Sequence, residues 1–231
     1  MLSGVVKAGT LVPMKQSQLM TIGTVVVVAL ILAAAIIIPR LSGGSAAAAA
    51  IDYDAQPVSG SRDAPVKIAV FFDFLCPHCA TFSETVTPVL EREFVADGTA
   101  AIYFLNFPVI DAVLSRSLAV LGECVHKQGN DGFVAIEPIF LRSQQTFAQL
   151  RTAAAMTAHG IELASQYVPG IDTAALSTCV EEAETGSEVD ADVTAGRQNG
   201  VTGTPSVFVD GVQVSNPTLA NIRSAIEKAA N

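Results

Sequence analysis

The stretch VKIAVFFDFLCPHCATFSETVTPVLEREF, residues 66–94, decides the fold of this chain. Its first nine residues are almost continuously apolar and rich in β-branched and aromatic side chains, which predicts a fully buried central strand. The second half predicts a helix, because its apolar residues recur at helical spacing. Those residues are Phe82, Val86, Val89, Leu90 and Phe94. Pro77 suits the first turn of that helix, where its missing N–H is not needed. The stretch therefore predicts a strand that leads directly into a helix.

A second strand and a long helical region follow. The run at Ala100–Phe107 predicts a strand after the Asp97-Gly98 turn, so that strand, helix and strand form a βαβ unit with a right-handed crossover. Residues 111–199 are mostly helical in character. The periodic segments cover 112–127, 146–159 and 172–195, with predicted breaks at Gly129–Gly132, Gly160 and Pro169-Gly170.

Strand character returns near the end of the chain. Ser206–Val209 and Val212–Val214 flank Asp210-Gly211, a two-residue turn that is typical of a β-hairpin. An amphipathic helix is then expected to begin with Asn216 as N-cap and Pro217 at the first helical position. The order βαβ, helices, ββα predicts an α/β domain interrupted by helices.

Composition and charge divide the chain into two parts. Half of the 231 residues are hydrophobic, which excludes a disordered chain. The chain has 22 acidic and 13 basic residues, a net charge of −9, which argues against a nucleic-acid binder because phosphate neutralisation needs a basic face. All the acids lie after residue 50, whereas the charged side chains before it are Lys7, Lys15 and Arg40.

The first part is predicted to be a membrane anchor. Leu19–Ile38 is uncharged, and as a helix of ~1.5 Å per residue it would span ~30 Å, the thickness of a bilayer's hydrocarbon core. The alternative is a cleaved signal peptide that ends in Ser45–Ala50, although such apolar cores usually run only ~7–15 residues. Because basic residues precede the span, residues 1–18 are expected in the cytoplasm and the soluble part on the periplasmic or extracytoplasmic side. Residues 39–61 are expected to be a tether.

The segment Cys76-Pro77-His78-Cys79 lies at the predicted strand-to-helix junction, where a C-x-x-C pair gains redox chemistry. A thiolate attacks disulfides, and a helix N-terminus stabilises its negative charge. Cys76 is therefore expected to have a lowered pKa and to be the attacking or attacked sulfur, with His78 adding a donor or a positive charge. Cys79 would close the ring or resolve a mixed disulfide. A zinc site needs four ligands, usually as two such pairs, so no metal and no other cofactor is expected.

Two segments resemble the DsbA-like thiol–disulfide oxidoreductases of the thioredoxin superfamily. They are FFDFLCPHC at Phe71–Cys79 and VTGTPSVFVDG at Val201–Gly211. The resemblance implies a thioredoxin-like fold formed by residues 62–110 and 200–231. It makes residues 111–199 the helical insertion that is typical of the DsbA arrangement.

The same resemblance implies roles for three residues near the cysteines. Pro205 is expected to be a cis proline packed against the disulfide, and Thr204 to expose backbone groups that pair with a bound substrate strand. Asp73 lies three residues before Cys76 in the apolar strand. It is expected either to relay protons near Cys79, as a buried acid does in related oxidoreductases, or to bond a backbone group or turn to solvent.

A second cysteine pair, Cys124 and Cys179, falls in the helical insertion. In an exported compartment two remaining cysteines are more often a structural disulfide than free thiols. Some membrane-anchored DsbA-like proteins carry a second bridge in this region, so the resemblance implies the same pairing here.

The function implied is that of a membrane-tethered, monomeric oxidase. It would donate its Cys76–Cys79 disulfide to unfolded or reduced exported proteins and be reoxidised by a membrane partner of the DsbB or quinone-linked type. Thr204 departs from the valine of the best-known DsbA oxidases and resembles some isomerase-type members, so a reductase or isomerase is the alternative. A chaperone-like module whose disulfide is merely structural belongs to a different class of function.

Overall fold

The computed structural model describes residues 51–230. The predicted cytoplasmic segment at 1–18, the predicted membrane anchor at 19–38 and the first part of the tether lie outside these residues. Within residues 51–230, no helix has the length and apolar character needed to cross a bilayer.

A five-stranded mixed sheet forms the centre of the domain. Its strands are β1 Val58–Ser59, β2 Val66–Phe72, β3 Ala100–Asn106, β4 Ser206–Val209 and β5 Val212–Gln213, in the order β1-β3-β2-β4-β5. The central strand β2 pairs parallel with β3 and antiparallel with β4. Both faces of β2 and β3 are covered, which explains why their sequences are continuously apolar and confirms the buried strand predicted from Val66.

Helices pack on both faces of this sheet, and most of them fall in the sequence between its strands β3 and β4. They are α1 Pro77–Thr85, α2 Thr87–Leu90, α3 Leu114–Gln128, α4 Asn130–Arg142, α5 Gln144–Leu150, α6 Ala153–Tyr167, α7 Thr173–Glu181, α8 Gly186–Gln198 and α9 Leu219–Ala229. Helices α3 to α8 all fall between β3 and β4, which confirms the helical insertion. The structure is therefore a thioredoxin-like α/β fold with that insertion.

The helix predicted over residues 77–94 is divided in the structure. It breaks at Val86 between α1 and α2, and a π-helical turn, Glu91–Val95, continues α2. Pro88 lies in the first turn of α2. Proline has no N–H to donate to the preceding turn, so Pro88 leaves a helical hydrogen bond unmade near this break.

One predicted helix break is wrong, and its glycine has a packing role instead. Gly160 lies inside α6 and is buried. A Cβ atom at this position would come within 2.3 Å of the Leu121 side chain on α3. Glycine is needed there because the two helices approach closely. Of the predicted break at Gly129–Gly132, only Gly129 is confirmed: α3 ends there with a φ of 156°, and the next three residues already belong to α4.

The folded domain begins before the predicted boundary at residue 62. Val58 and Ser59 pair with Tyr103 and Ile102 of β3, and Ile51 is buried as well. The predicted tether at 39–61 therefore extends too far into the folded domain. The sequence did not show this boundary, because a strand of two residues is too short to give an alternating pattern.

The C-terminal hairpin is confirmed, but the cap of the last helix is not. Asp210 and Gly211 have φ values of 46° and 77°, as a two-residue hairpin turn requires. Thr218, and not Asn216, caps α9, because its hydroxyl accepts a hydrogen bond from the N–H of Asn221. Asn216 adopts a φ of 49° in the preceding turn.

Candidate active site

Cys76 and Cys79 lie where β2 leads into α1. Cys76 is the N-cap of α1, and its carbonyl accepts hydrogen bonds from the N–H groups of Cys79 at 3.0 Å and Ala80 at 3.1 Å. Both cysteines are free thiols and are buried, with exposed fractions of 3% and 2%. The junction therefore places Cys76 at the positive end of the helix dipole and Cys79 one turn inside.

The two sulfurs have opposite acid–base character. A hydrogen bond from the Cys79 thiol lowers the pKa of Cys76 to about 5, with further help from the backbone N–H groups of Cys79 and His78, while burial opposes the shift. The same hydrogen bond to Cys76, together with burial, raises the pKa of Cys79. In the reduced protein at neutral pH, Cys76 is therefore a thiolate and Cys79 a thiol.

The loop before β4 lies against Cys76. The Thr204–Pro205 peptide bond is cis, as the resemblance implied, and the Cys76 thiol lies 3.3 Å from the Thr204 carbonyl oxygen. The sheet accounts for this proximity, since Ser206, the first residue of β4, pairs with Phe71 near the end of β2. Pairing of the Thr204 backbone with a substrate strand stays a prediction.

Pro77 and His78 are both exposed at the start of α1. Pro77 is the first helical residue, as predicted. His78 contributes its backbone N–H to lowering the pKa of Cys76. A role for the His78 imidazole in exchange stays a prediction.

Asp73 is buried and bonds only backbone groups among the described residues. One carboxylate oxygen accepts from the N–H of Leu75, and the other accepts from those of Val109 and Ile110, all at 2.8 Å. This arrangement favours the second sequence-based alternative over a proton relay. Asp73 joins the active-site loop to the loop that follows β3, where Val109 and Ile110 are 45% and 54% exposed.

Two buried carboxylates on the insertion were missed by sequence reasoning. Asn106, the last residue of β3, donates its side-chain amide to Glu123 at 2.6 Å and its backbone N–H to Asp192 at 2.8 Å. Gln56 also donates to Asp192, at 2.8 Å. Burial is the main cause that raises the pKa of Glu123 to about 8 and that of Asp192 to about 7. They were missed because single acids in an amphipathic helix normally face solvent.

A third buried carboxylate contacts the helix of the reactive cysteines. Glu137 of α4 accepts a hydrogen bond from the hydroxyl of Ser83 at 3.0 Å, and Ser83 lies one turn after Cys79 on the buried face of α1. Burial raises the pKa of Glu137 to about 7.

The second cysteine pair forms a disulfide, as predicted. Cys124 of α3 and Cys179 of α7 are joined with an S–S distance of 2.02 Å. Both are buried among the helices of the insertion. The bond links two helices that are 55 residues apart along the chain.

Comparison with known proteins places this geometry among redox proteins. A family model described as Thioredoxin matches residues 52–228. A probable disulfide bond formation protein D from Bacillus anthracis is 31% identical over 179 residues, which cover 76% of this chain and 79% of the relative. The disulfide bond formation protein D of Bacillus subtilis is 27% identical over 175 residues, which cover 75% and 76%.

Solved structures agree with the sequence relatives. Oxidised BdbD from Bacillus subtilis superimposes with a TM-score of 0.67 at 25% identity, covering 77% of this chain and 94% of that one. DsbA from Chlamydia trachomatis superimposes with a TM-score of 0.64 at 21% identity, covering 75% and 89%, which shows a shared fold. Since the family model covers most of the described residues and the relatives are disulfide-forming proteins, this chain belongs to the thioredoxin family as a DsbA-like protein-disulfide oxidoreductase.

Proposed function

We propose that this protein is a disulfide donor for exported proteins and that Cys76 and Cys79 carry the reaction. A substrate thiolate attacks the sulfur of Cys76, the Cys76–Cys79 bond breaks, and Cys79 leaves with the electron pair and takes up a proton. A second substrate thiolate then attacks the substrate sulfur of the mixed disulfide. That step forms the substrate disulfide and releases the Cys76 thiolate, so two electrons pass from the substrate dithiol to the protein.

The observation that carries the oxidase direction is the lowered pKa of Cys76, at about 5. A thiolate that is stabilised in the folded protein stabilises the reduced form, and a stable reduced form makes the disulfide a strong oxidant. The raised pKa of Cys79 supports the same direction, because the leaving thiolate is reprotonated and does not attack again. The relatives named for disulfide bond formation add support from sequence.

Substrate capture would use the surface around Cys76. Thr204 and Pro205 would offer backbone groups to an extended substrate segment beside the sulfur. The exposed apolar side chains of Val109, Ile110 and Val113, in the loop tied to the active site by Asp73, suit an unfolded chain. Pro77 begins the helix and His78 supplies its N–H to the thiolate.

The setting we propose is the extracytoplasmic side of a membrane. The anchor predicted at 19–38 and the tether after it would hold the monomeric domain there, where disulfides persist. A membrane partner of the DsbB or quinone-linked type would return the electrons of each cycle to an acceptor and restore the Cys76–Cys79 disulfide.

The test is the equilibrium between the Cys76–Cys79 pair and glutathione buffers of defined ratio. We expect a potential above about −200 mV, which is oxidising relative to most structural disulfides. A thioredoxin-like potential of about −270 mV would contradict the oxidase direction and favour a reductase. A Cys76→Ser variant separates the chaperone-like alternative, because it should lose all oxidation of a reduced unfolded protein, whereas a holdase would still suppress aggregation.

A further inference from the structure

Gln144 reaches from the helical insertion into the active-site loop. It is the first residue of α5, and its side-chain nitrogen donates to the carbonyl oxygen of Phe74 at 2.9 Å and to that of Cys76 at 2.8 Å. A carboxamide nitrogen has two hydrogens, so both donors of this group are used on the loop. The two acceptors flank Leu75, which places the amide across the turn that joins β2 to α1.

Aromatic packing holds Gln144 in this position. Phe140, four residues earlier on α4, packs edge-on against Phe74 with ring centroids 5.4 Å apart. Phe147 of α5 packs against Phe140 at 5.9 Å. All three rings are buried, and their packing brings the junction between α4 and α5 close enough to the loop for the amide to reach it.

The bond to Cys76 falls on a carbonyl that organises the helix start. The same oxygen accepts the N–H groups of Cys79 and Ala80, which are the first hydrogen bonds of α1. Three donors therefore converge on the backbone of the reactive cysteine, and one of them comes from outside the thioredoxin-like part of the chain. The backbone of Cys76, the N-cap of α1, is extended, with φ −79° and ψ 117°.

We propose that Gln144 is a positioning residue through which the helical insertion holds Cys76 in its reactive geometry. It touches neither sulfur and acts through the Phe74 and Cys76 carbonyls. The inference goes beyond the direction of the reaction, because an oxidase and a reductase both need the Cys76 thiolate. It rests on the proposed role of Cys76 as the reactive sulfur.

Removal of the amide should weaken the contacts that stabilise the thiolate. Without it, the loop samples conformations in which the Cys76 sulfur is farther from the N–H groups of His78 and Cys79. We expect Gln144→Ala to raise the pKa of Cys76 by about 0.5 to 1 unit, since the loss of one hydrogen bond to the thiolate corresponds to a shift of that size. Gln144→Met keeps the length of the side chain and adds no charge, but it donates no hydrogen bond to the two carbonyls. It should raise the pKa of Cys76 by a similar amount.

The experiment is a thiolate-absorbance titration of the reduced protein, with urea unfolding of each variant in parallel. The matched control is Gln128→Ala, because Gln128 of α3 also bridges backbone groups of the insertion, donating to the Asp172 carbonyl and accepting from its N–H, away from the cysteines. We expect the control to change stability without moving the pKa of Cys76.

An unshifted pKa of Cys76 in both Gln144 variants, or an equal shift in Gln128→Ala, would overturn the inference. If Gln144→Ala does not fold, the Gln144→Met variant, which keeps the length of the side chain, decides the question alone, and failure of both to fold would assign Gln144 to stability and overturn it too. An ordinary pKa of Cys76 in the unsubstituted protein is a different result. It would remove the proposed function and not only the part of Gln144.

Discussion

The active-site junction lowers the pKa of a buried acidic group, whereas the helical insertion raises it. Cys76 is 3% exposed and Glu123 is 4% exposed, yet the pKa of Cys76 falls to about 5 while that of Glu123 rises to about 8. Burial penalises both anions. The difference lies in the donors, because Cys76 meets the Cys79 thiol and two backbone N–H groups, whereas Glu123 meets one amide and the nearby Asp192 carboxylate.

The same contrast separates the two cysteine pairs. Cys76 and Cys79 are three residues apart at a helix start, where one sulfur can carry charge. Cys124 and Cys179 lie among packed helices and are joined in a bond that carries no charge. The reactive pair therefore lies at a helix start, where donors stabilise a thiolate, and the buried Cys124–Cys179 disulfide contributes stability.

Loss of the insertion disulfide should give the largest change. Replacing Cys124 and Cys179 together by alanine should lower the free energy of unfolding by about 4 kcal/mol, the chain-entropy value for a loop of 55 residues. Exchange by Cys76 should persist in the folded fraction, because the disulfide does not touch the active-site loop. Urea unfolding and a thiol-exchange assay on the same sample measure the two effects.

The matched control replaces Cys76 and Cys79 by alanine. It should abolish exchange and leave most of the stability of the insertion intact. Equal loss of stability from both double variants would show that the two pairs are not functionally distinct, contrary to the comparison above.

The buried carboxylates should give the next largest change, through pH. Burial raises the pKa values of Glu123, Glu137 and Asp192 above their unfolded values, so the folded protein binds more protons than the unfolded chain between about pH 4.5 and pH 8. The favourable contribution of the protonated carboxyls is complete below the unfolded pKa values and is lost as pH rises through the folded ones. Stability should therefore fall over this range.

Glu123→Gln removes the largest of these shifts and keeps an acceptor for Asn106. At about pH 8 it should raise the free energy of unfolding by about 2 kcal/mol and flatten the pH dependence. The control is Glu181→Gln, an exposed carboxylate of the same insertion, which should change neither. A Glu123→Gln protein that loses stability at every pH would show that its carboxylate is favoured in the fold.

Sequence patterns predicted the features that depend on local chemistry. The apolar run from Val66, the Cys76–Cys79 junction and the Asp210-Gly211 turn each carry their signal within a few residues. The cis bond before Pro205 and the Cys124–Cys179 pairing were implied by the resemblance and are present.

What sequence reasoning missed depends on contacts between distant segments. Gln144 lies 68 residues from Cys76 and resembles an ordinary helix-start glutamine. Glu123 and Asp192 become unusual only when Asn106 joins them at the end of β3. Gly160 was predicted to break a helix because glycine has a low helix propensity. The reason for the glycine, its close contact with Leu121 on another helix, is not visible in the sequence. None of these contacts leaves a periodic pattern that a single sequence displays.

The most direct test of the contrast is the pH dependence of cysteine alkylation in the protein with Cys76 and Cys79 reduced and the insertion disulfide intact, read by mass spectrometry at each residue. Cys76 should be modified with a midpoint near pH 5, Cys79 should stay unmodified through neutral pH, and Cys124 and Cys179 should not react. Modification of Cys76 with a midpoint near pH 9, the ordinary value for a thiol, would contradict the account. Equal labelling of Cys76 and Cys79 would contradict it as well.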